Sequence, residues 1–353
     1  MPFTNHSVQE PSPLRKSNAA FIILARNSDL PGLARSVREL EDRFNHRYQY
    51  PYVFLNDEPF DEKFKKHISI LTDAKVEFGQ ISHDHWSQPD WIDEDVAKSW
   101  REWMVLGDII YGGSVSYRNM CRFNSGFFFH HPLVQKYRWY WRVEPDVHFH
   151  CNIDFDPFLY MEDNQKVYGF TISMYEYEST IMTLWNHVQG TYTDYQYLPR
   201  LSLEQILYSE FANLHPEYMA PNNSLEFISE DGGETYNLCH FWSNFEIADL
   251  DFWRGNIYQE FFEFLDQQGG FYYERWGDAP VHSIAAALFL NRTQLHFFDE
   301  IGYEHPPYTH CPKKGNNWAK GRCTCDPDPE ANFDDSPGSC LGRWESLVNG
   351  TLV

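Results

Sequence analysis

The stretch Tyr140–Cys151 reads YWRVEPDVHFHC and sets two carboxylates and two imidazoles among aromatic residues. On an extended strand, successive side chains alternate between faces. Val143, Pro145, Val147 and Phe149 would then share one face, and Glu144, Asp146, His148 and His150 the other. The polar face offers carboxylate oxygen and imidazole nitrogen, a mixed donor set that a divalent cation such as Mn²⁺ accepts. Pro145 marks an edge or a bend, and so a strand end. A charged face turned to solvent is the rival reading of the same spacing.

Three more stretches carry candidate chemistry. In CHFWSNFEIA, Cys239–Ala248, Glu246 stands between Phe245 and Ile247 and near Phe241 and Trp242. A carboxylate in apolar company costs free energy unless it is paired or used. Use as a nucleophile is one option; a helix-start carboxylate paired with an arginine is the other. In GGFYYERWGDAPVHSIAA, Gly269–Ala286, Asp278 falls where a helix begins and reads as an N-cap. Glu274, Arg275 and Trp276 could line a cleft before it, and His282 reads as a satisfied core histidine. In FFDEIGYEH, Phe297–His305, the final histidine lies at a loop entry, where a side chain is free to meet a ligand. Serine-hydrolase (G-x-S-x-G) and zinc-protease (H-E-x-x-H) patterns are absent.

These residues need a scaffold. The run Ala19–Ala25 reads as a buried strand, Pro31 to Phe44 as an amphipathic helix, and Tyr52–Leu55 as a second strand. A helix near Asp61–Ser69 and a strand near Val76–Ile81 complete an α/β unit with parallel strands. Helices are expected at Ile92–Ile110, Ser116–Phe129, Pro199–Asn213, Ile257–Gln267 and Ala279–Leu290. Strands are expected at Tyr137–Val143, Lys166–Ser173, Tyr236–Phe241 and Leu295–Phe298, and a surface loop at Pro221–Glu234. Dinucleotide and Walker-type glycine patterns are missing. Ligands of open α/β sheets bind beyond the carboxyl ends of strands, which is where Arg26 and Asp57 fall; polar loop residues would look the same.

Composition narrows the function. Lys and Arg number 28 against 51 Asp and Glu, a net charge of −23, which argues against nucleic acid or an anionic membrane surface. A phosphate ligand stays possible through a bridging cation. No apolar run is long enough to span a bilayer, and the first 18 residues hold no apolar core of a signal peptide. Residues 1–18 read as a disordered leader. Four Asn-x-Ser/Thr sequons, at Asn5, Asn222, Asn291 and Asn349, point instead to a secretory lumen. Of seven cysteines, Cys311, Cys323, Cys325 and Cys340 crowd near the end. Disulfides in a loop-rich tail suit them better than zinc, whose usual closely spaced pairs are lacking. The odd count leaves one thiol free or bridged to another molecule.

The segments SYRNMCRFNSGFFFHHPL, YRWYWRVEPDVHFHC, YNLCHFWSNFEIADLDFWR, GGFYYERWGDAPVHSIAAALFL and FFDEIGYEHPPYTHC resemble the fungal α-1,2-mannosyltransferases of glycosyltransferase family 15, the KTR/MNT group. The likeness runs in family order from about residue 19 to 312. It implies one GT-A-like α/β catalytic domain over 19–312, with a mixed sheet flanked by helices and an irregular Cys-containing tail, 313–353, packed on it. It implies GDP-mannose as donor, Mn²⁺ as cofactor, retention of configuration and a mannose-terminated N- or O-linked glycan as acceptor. The location implied is the Golgi lumen, with a membrane anchor that this chain lacks. Carried over position by position, Glu144 and His305 look like metal ligands and Glu246 like the nucleophile. Tyr117 and Asp278 match sugar-binding positions, and Arg26, Asp57, Arg122 and Asp146 are candidate nucleotide contacts. Trp185–Glu217 is longer than the family pattern suggests, which bears on the acceptor. A glycoside hydrolase and an inactive carbohydrate-binding relative are the alternatives.

Overall fold

The computed structural model describes residues 15–189 and 211–352. Its centre is a seven-stranded sheet. Strand β1 is Ala19–Leu24, β2 Tyr52–Asn56, β3 Val76–Gln80 and β4 Trp139–Arg142. The short strand β5 is His148–Phe149, β6 Tyr168–Phe170 and β7 Ser173–Tyr175. Then come β8 Cys239–Phe241, β9 Ile247–Asp249, β10 Leu295–Phe297, β11 Tyr303–His305 and β12 Tyr308–His310. The large sheet runs β10-β6-β9-β4-β1-β2-β3. Strands β4, β1, β2 and β3 are parallel, whereas β9 runs antiparallel to both β4 and β6, so the sheet is mixed.

Both faces of this sheet are buried, as expected of strands flanked by helices. In β1, Ala20 and Ile22 enter one apolar core while Phe21 and Ile23 enter the other. The same alternation sends Tyr140 of β4 and Ala248 of β9 to the first core, and Trp141 and Ile247 to the second. Arg142 shares the parity of Tyr140, and Glu246 that of Ala248. Helix α1, Leu30–Leu40, buries Leu33, Val37 and Leu40 in the second core. Helices α2, Glu62–Ser69, and α3, Glu94–Leu106, start on Asp61 and Asp93, whose carboxylates accept from first-turn amides. Helices α4, Val115–Gly126, α5, Asn256–Gln268, and α6, Asp278–Phe289, cover the first core. Helix α6 is buried along its whole length, which its apolar sequence requires.

Several boundaries differ from expectation. Tyr140–Cys151 is not one strand: β4 stops at Arg142, Asp146 takes a left-handed turn at φ 60°, and β5 joins a separate sheet ordered β12-β11-β5. Lys166–Ser173 is split between β6 and β7, and the expected loop at 221–234 carries a short helix, Leu225–Ile228. Arg15 and Ser17 are tied to Glu162 and Asp163, so the leader does not extend to them; residues 1–14 lie outside the described part. So does most of the Pro199–Asn213 helix and of the long 185–217 segment.

The tail is more regular and more firmly attached than its composition suggests. It contains a two-turn helix, α7, Leu341–Val348, whose Leu341, Trp344 and Leu347 join the first core. Cys325 bonds Cys311, just after β12 and before the tail begins. Cys323 reaches back to Cys151 and Cys340 to Cys239, stapling the tail beside β5 and β8. Cys121 on α4 is the free, buried thiol. Among the described residues no helix is long and apolar enough to cross a membrane.

Candidate active site

The end of β4 gathers the polar residues. Arg142, the last residue of β4, lies opposite Glu246 across the β4–β9 pair, its amide donating to the Glu246 carbonyl at 2.9 Å. The Arg142 guanidinium then bridges two carboxylates. Its Nε donates to Glu144 Oε1 at 2.9 Å, and its Nη1 pairs with Asp278 Oδ2. Ser243 Oγ donates to the same Asp278 oxygen at 2.7 Å. Asp278 is thus not an N-cap; Gly277 holds that place, and the carboxylate in the first turn is turned to Arg142.

Glu144 also meets His305, whose Nε2 stands 3.6 Å from Glu144 Oε2. The sequence separates the two by 161 residues; the short β11–β5 pairing, with Tyr303 opposite Phe149, closes that distance. Burial alone would raise the Glu144 carboxyl, but the neighbouring Arg142 and His305 outweigh it and bring it to about 2. Burial likewise works against a charged His305, and Glu144 more than offsets it, so the imidazole is raised. The Trp242 ring packs edge-on against His305, centroids 5.0 Å apart.

Glu246 is 1% exposed. Its Oε1 accepts from the Tyr140 hydroxyl at 2.8 Å, and its Oε2 lies 3.0 Å from His282 Nδ1. The arginine partner considered from sequence is therefore replaced by a phenol and an imidazole. Glu246, Arg142, Tyr140, Asn124, Leu24 and Leu55 line one small pocket against the last residues of β1, β2 and β4, closed on the helix side by Phe123 and Phe128. The Asn124 amide nitrogen is buried there with no protein partner.

Tyr117, in the first turns of α4, completes the cluster from the other side. Its ring stacks on Tyr111 at 4.4 Å and carries the Arg275 guanidinium 5.2 Å from its centre. Burial raises its phenol well above the usual range, and Asp278 and Glu176 add to the shift. Arg26 reaches α4, donating to Ser116 Oγ at 2.6 Å, and Asp57 follows the end of β2.

Other candidates stand apart. Arg122 is bound bidentately by Asp266 of α5 and packs on Phe127. Asp146 pairs with Arg35 of α1 at 2.5 Å on the surface; a Cβ on Gly32 would overlap its carboxylate. His148 pairs with Glu39, and His150 with Glu304 and Thr324. Glu304 and His305 are neighbours on β11, so they point to opposite faces. The expected shared face of Glu144, Asp146, His148 and His150 therefore does not form, because the chain turns at Pro145-Asp146. Among the described residues no three His, Cys, Asp or Glu side chains converge as a metal site; Glu144 and His305 form a pair. Sequence reasoning passed over Arg142, Tyr140 and Ser243. The parity of Tyr140 with Arg142, two residues before Glu144, was the available signal for the first two.

A mixed α/β sheet with a carboxylate–imidazole pair, a buried glutamate and a bridging arginine at its strand ends is a frame for phosphate and sugar chemistry, and comparison with known proteins identifies its class. The family described as Glycolipid 2-alpha-mannosyltransferase, glycosyltransferase family 15, matches residues 2–349. Glycolipid 2-alpha-mannosyltransferase 2 of Candida albicans is 50% identical over 92% of this chain, which spans 66% of that protein. The O-glycoside alpha-1,2-mannosyltransferase omh1 of Schizosaccharomyces pombe is 48% identical, covering 97% of this chain and 83% of its own length. The crystal structure of core-mannan synthase A from Aspergillus fumigatus, in a Mn/GDP form, superimposes with a TM-score of 0.82 at 36% identity, covering 98% of this chain and 88% of that one. The chain belongs to glycosyltransferase family 15.

Proposed function

We propose that this chain transfers mannose from GDP-mannose to the 2-hydroxyl of a mannose-terminated, N- or O-linked glycan, with retention of configuration, and that it works in the Golgi lumen. The observation that carries the reading is the meeting of Glu144, His305 and Glu246 around Arg142 and Asp278. The three disulfides support an oxidising compartment.

The donor set fits Mn²⁺. Glu144 offers a hard oxygen and His305 a borderline nitrogen, and their 3.6 Å separation is within what two ligands of one octahedral ion span, roughly 3–4 Å. When bound, a divalent cation supplies positive charge for the diphosphate of the leaving group. The chain's own residues do the rest. Arg142 holds Glu144 and Asp278 in place and adds a fixed charge beside the pocket. The Tyr117 ring, stacked on Tyr111, is pre-set against the sugar. Arg26 and Asp57, just past β1 and β2, would meet the nucleoside in this reading; Arg122, paired with Asp266, and Asp146, paired with Arg35, are left out of this set. Glu246, held by Tyr140, meets the anomeric carbon as it becomes positive. In a double displacement its oxygen bonds that carbon while the carbon–phosphate oxygen bond breaks and its electron pair leaves with GDP. The acceptor hydroxyl then attacks the same carbon, its proton passing to a phosphate oxygen of the departing GDP, as the bond from that carbon to Glu246 breaks and the carboxylate is restored; two inversions give retention.

The test is the purified protein with GDP-mannose, Mn²⁺ and α-methyl mannoside, reading GDP release and the linkage of any disaccharide. An α-1,2 product is expected, and EDTA abolishes it. Glycan cleavage without GDP-mannose would instead mark a hydrolase, and sugar binding without turnover an inactive relative.

A further inference from the structure

We propose that His282 is a positioning residue for Glu246, and that it carries the proton shared by the pair, so that a buried imidazolium holds the glutamate as a carboxylate. The inference rests on the reading of Glu246 as the group that meets the anomeric carbon.

The argument is a count of hydrogens. His282 is wholly buried on α6, and Glu246 is nearly so. The Nε2 of His282 lies 3.1 Å from the backbone oxygen of Asn124 on α4. A carbonyl only accepts, so Nε2 carries a hydrogen. The other nitrogen, Nδ1, faces Glu246 Oε2 at 3.0 Å. One hydrogen must lie between them, because two bare lone pairs would repel. The pair is therefore either imidazolium with carboxylate, or neutral imidazole with carboxylic acid. Both arrangements have the same net charge, and the surroundings choose between them.

Those surroundings favour the charged form. The indole of Trp253 stacks on the imidazole, centroids 4.2 Å apart at 22°, which stabilises a cation. The same indole donates its Nε1–H to the Tyr140 hydroxyl at 3.0 Å. That hydroxyl therefore has its own hydrogen to give to Glu246 Oε1, and donation to an acid's oxygens favours the ionised form. Arg142 of β4 adds positive charge near Glu246. Asp278, one helical turn before His282, adds negative charge near the imidazole. Two further phenols nearby stay neutral: Tyr168 of β6 facing Glu246, and Tyr258 of α5 with its ring 6.0 Å from the imidazole.

This arrangement suits the step. A lone carboxylate in this core would be driven to protonate, and a protonated acid neither attacks nor stabilises an oxocarbenium carbon. With the proton on Nδ1 the carboxylate stays ionised and both of its oxygens are aimed. If an ester forms, the Nδ1–H remains as a donor to Oε2, and no proton has to enter or leave the core.

Two measurements decide it. In His282→Asn the amide can still donate to Glu246 but cannot be a cation. The expected result is a roughly 10–100-fold fall in kcat, GDP affinity close to wild type, and an acid limb of the kcat–pH profile moved upward by about one unit or more. A wild-type kcat and acid limb would overturn the proposal. So would a joint loss of kcat and GDP affinity with an unmoved limb, which marks a purely structural role. The second measurement needs no variant: ¹⁵N NMR of the histidine side chains in the intact protein at neutral pH. A His282 ring with both nitrogens protonated, converting to a neutral ring in Glu246→Gln, is expected; a His282 ring protonated only on Nε2 in the wild type would overturn it. Substantial activity in Glu246→Gln would instead sink the reading of Glu246 itself, whatever the ring spectrum shows.

Discussion

The β12-β11-β5 sheet carries two histidine–carboxylate groups back to back. On one face His305 meets Glu144; on the other His150 meets Glu304 and His148 meets Glu39. By residue type the two are nearly interchangeable, and the second even lines a wide pocket with Asp42, Arg43 and Thr324. They differ in their surroundings. All three pairs are partly exposed, Glu144 and His305 no less than His150 and Glu304. The Glu144 side, however, is joined through Arg142 to Asp278 and Glu246, which are buried, whereas among the described residues the outer pairs reach only Thr324 and the Phe149 amide. Exposed pairs are worth little and are easily replaced by water. Inside, every charge must be balanced by another, so each group sets its neighbour's protonation and direction. A third site sharpens the contrast. Glu274 is also buried, but Thr183 and Trp276 give it only neutral donors; burial raises its carboxyl to about 7, whereas Glu144 beside Arg142 is brought to about 2.

The comparison can be broken most forcefully at Glu246. Glu246→Gln keeps the shape and is expected to lower turnover by about 10³-fold or more while leaving GDP affinity and the melting temperature nearly unchanged; initial-rate assays, GDP titration and thermal melting read the three.

Next in size, Glu144→Gln or His305→Ala is expected to raise the Mn²⁺ concentration needed for half-maximal rate by roughly 10–100-fold. A metal titration of activity checks this, and an unchanged midpoint would dissolve the distinction between the two faces.

The Glu274 contrast predicts a pH effect on stability. Its folded value lies above the ordinary one, so the stability it contributes is complete below about pH 4.5 and is lost as pH rises through about 7. At about 1.4 kcal/mol per unit, the loss is on the order of 3 kcal/mol. Gln reproduces the protonated acid's pattern of acceptors and donors, so Glu274→Gln is expected to match wild type near pH 4.5 and to be the more stable protein near pH 8. Denaturant unfolding at the two pH values reads the difference.

The smallest effect belongs to the outer face. His148→Ala is expected to leave turnover within about twofold and stability within about 1 kcal/mol. A large loss of activity would show that this face takes part after all.

Much of the scaffold was legible from local pattern. Ala19–Leu24, Tyr52–Asn56 and Asp278–Phe289 fall close to where continuous apolar runs place them, because burial on both faces leaves that signature. That Glu246 is buried and paired was legible for the same reason: a charge in apolar company stands out. What escaped was decided by distant partners. The turn at Pro145-Asp146 sends the alternation of Glu144, Asp146, His148 and His150 to three different places, and no local rule says that a strand ends at Arg142. The tail's helix and its bonds to Cys151 and Cys239 depend on surfaces that only the folded domain provides. His282 read as core packing, which its burial bears out; its role turns on an acceptor from α4 and a carboxylate beside β9, and neither is near it in sequence.

The account stands on Glu144 and His305 holding one cation beside Glu246. Electron spin-echo spectroscopy of Mn²⁺ bound to the protein with GDP tests this most directly. The expected spectrum shows nitrogen coupling from a single imidazole, lost in His305→Ala and kept in Glu246→Gln. Bound Mn²⁺ without nitrogen coupling in the wild type, or coupling that survives the loss of His305, would contradict it.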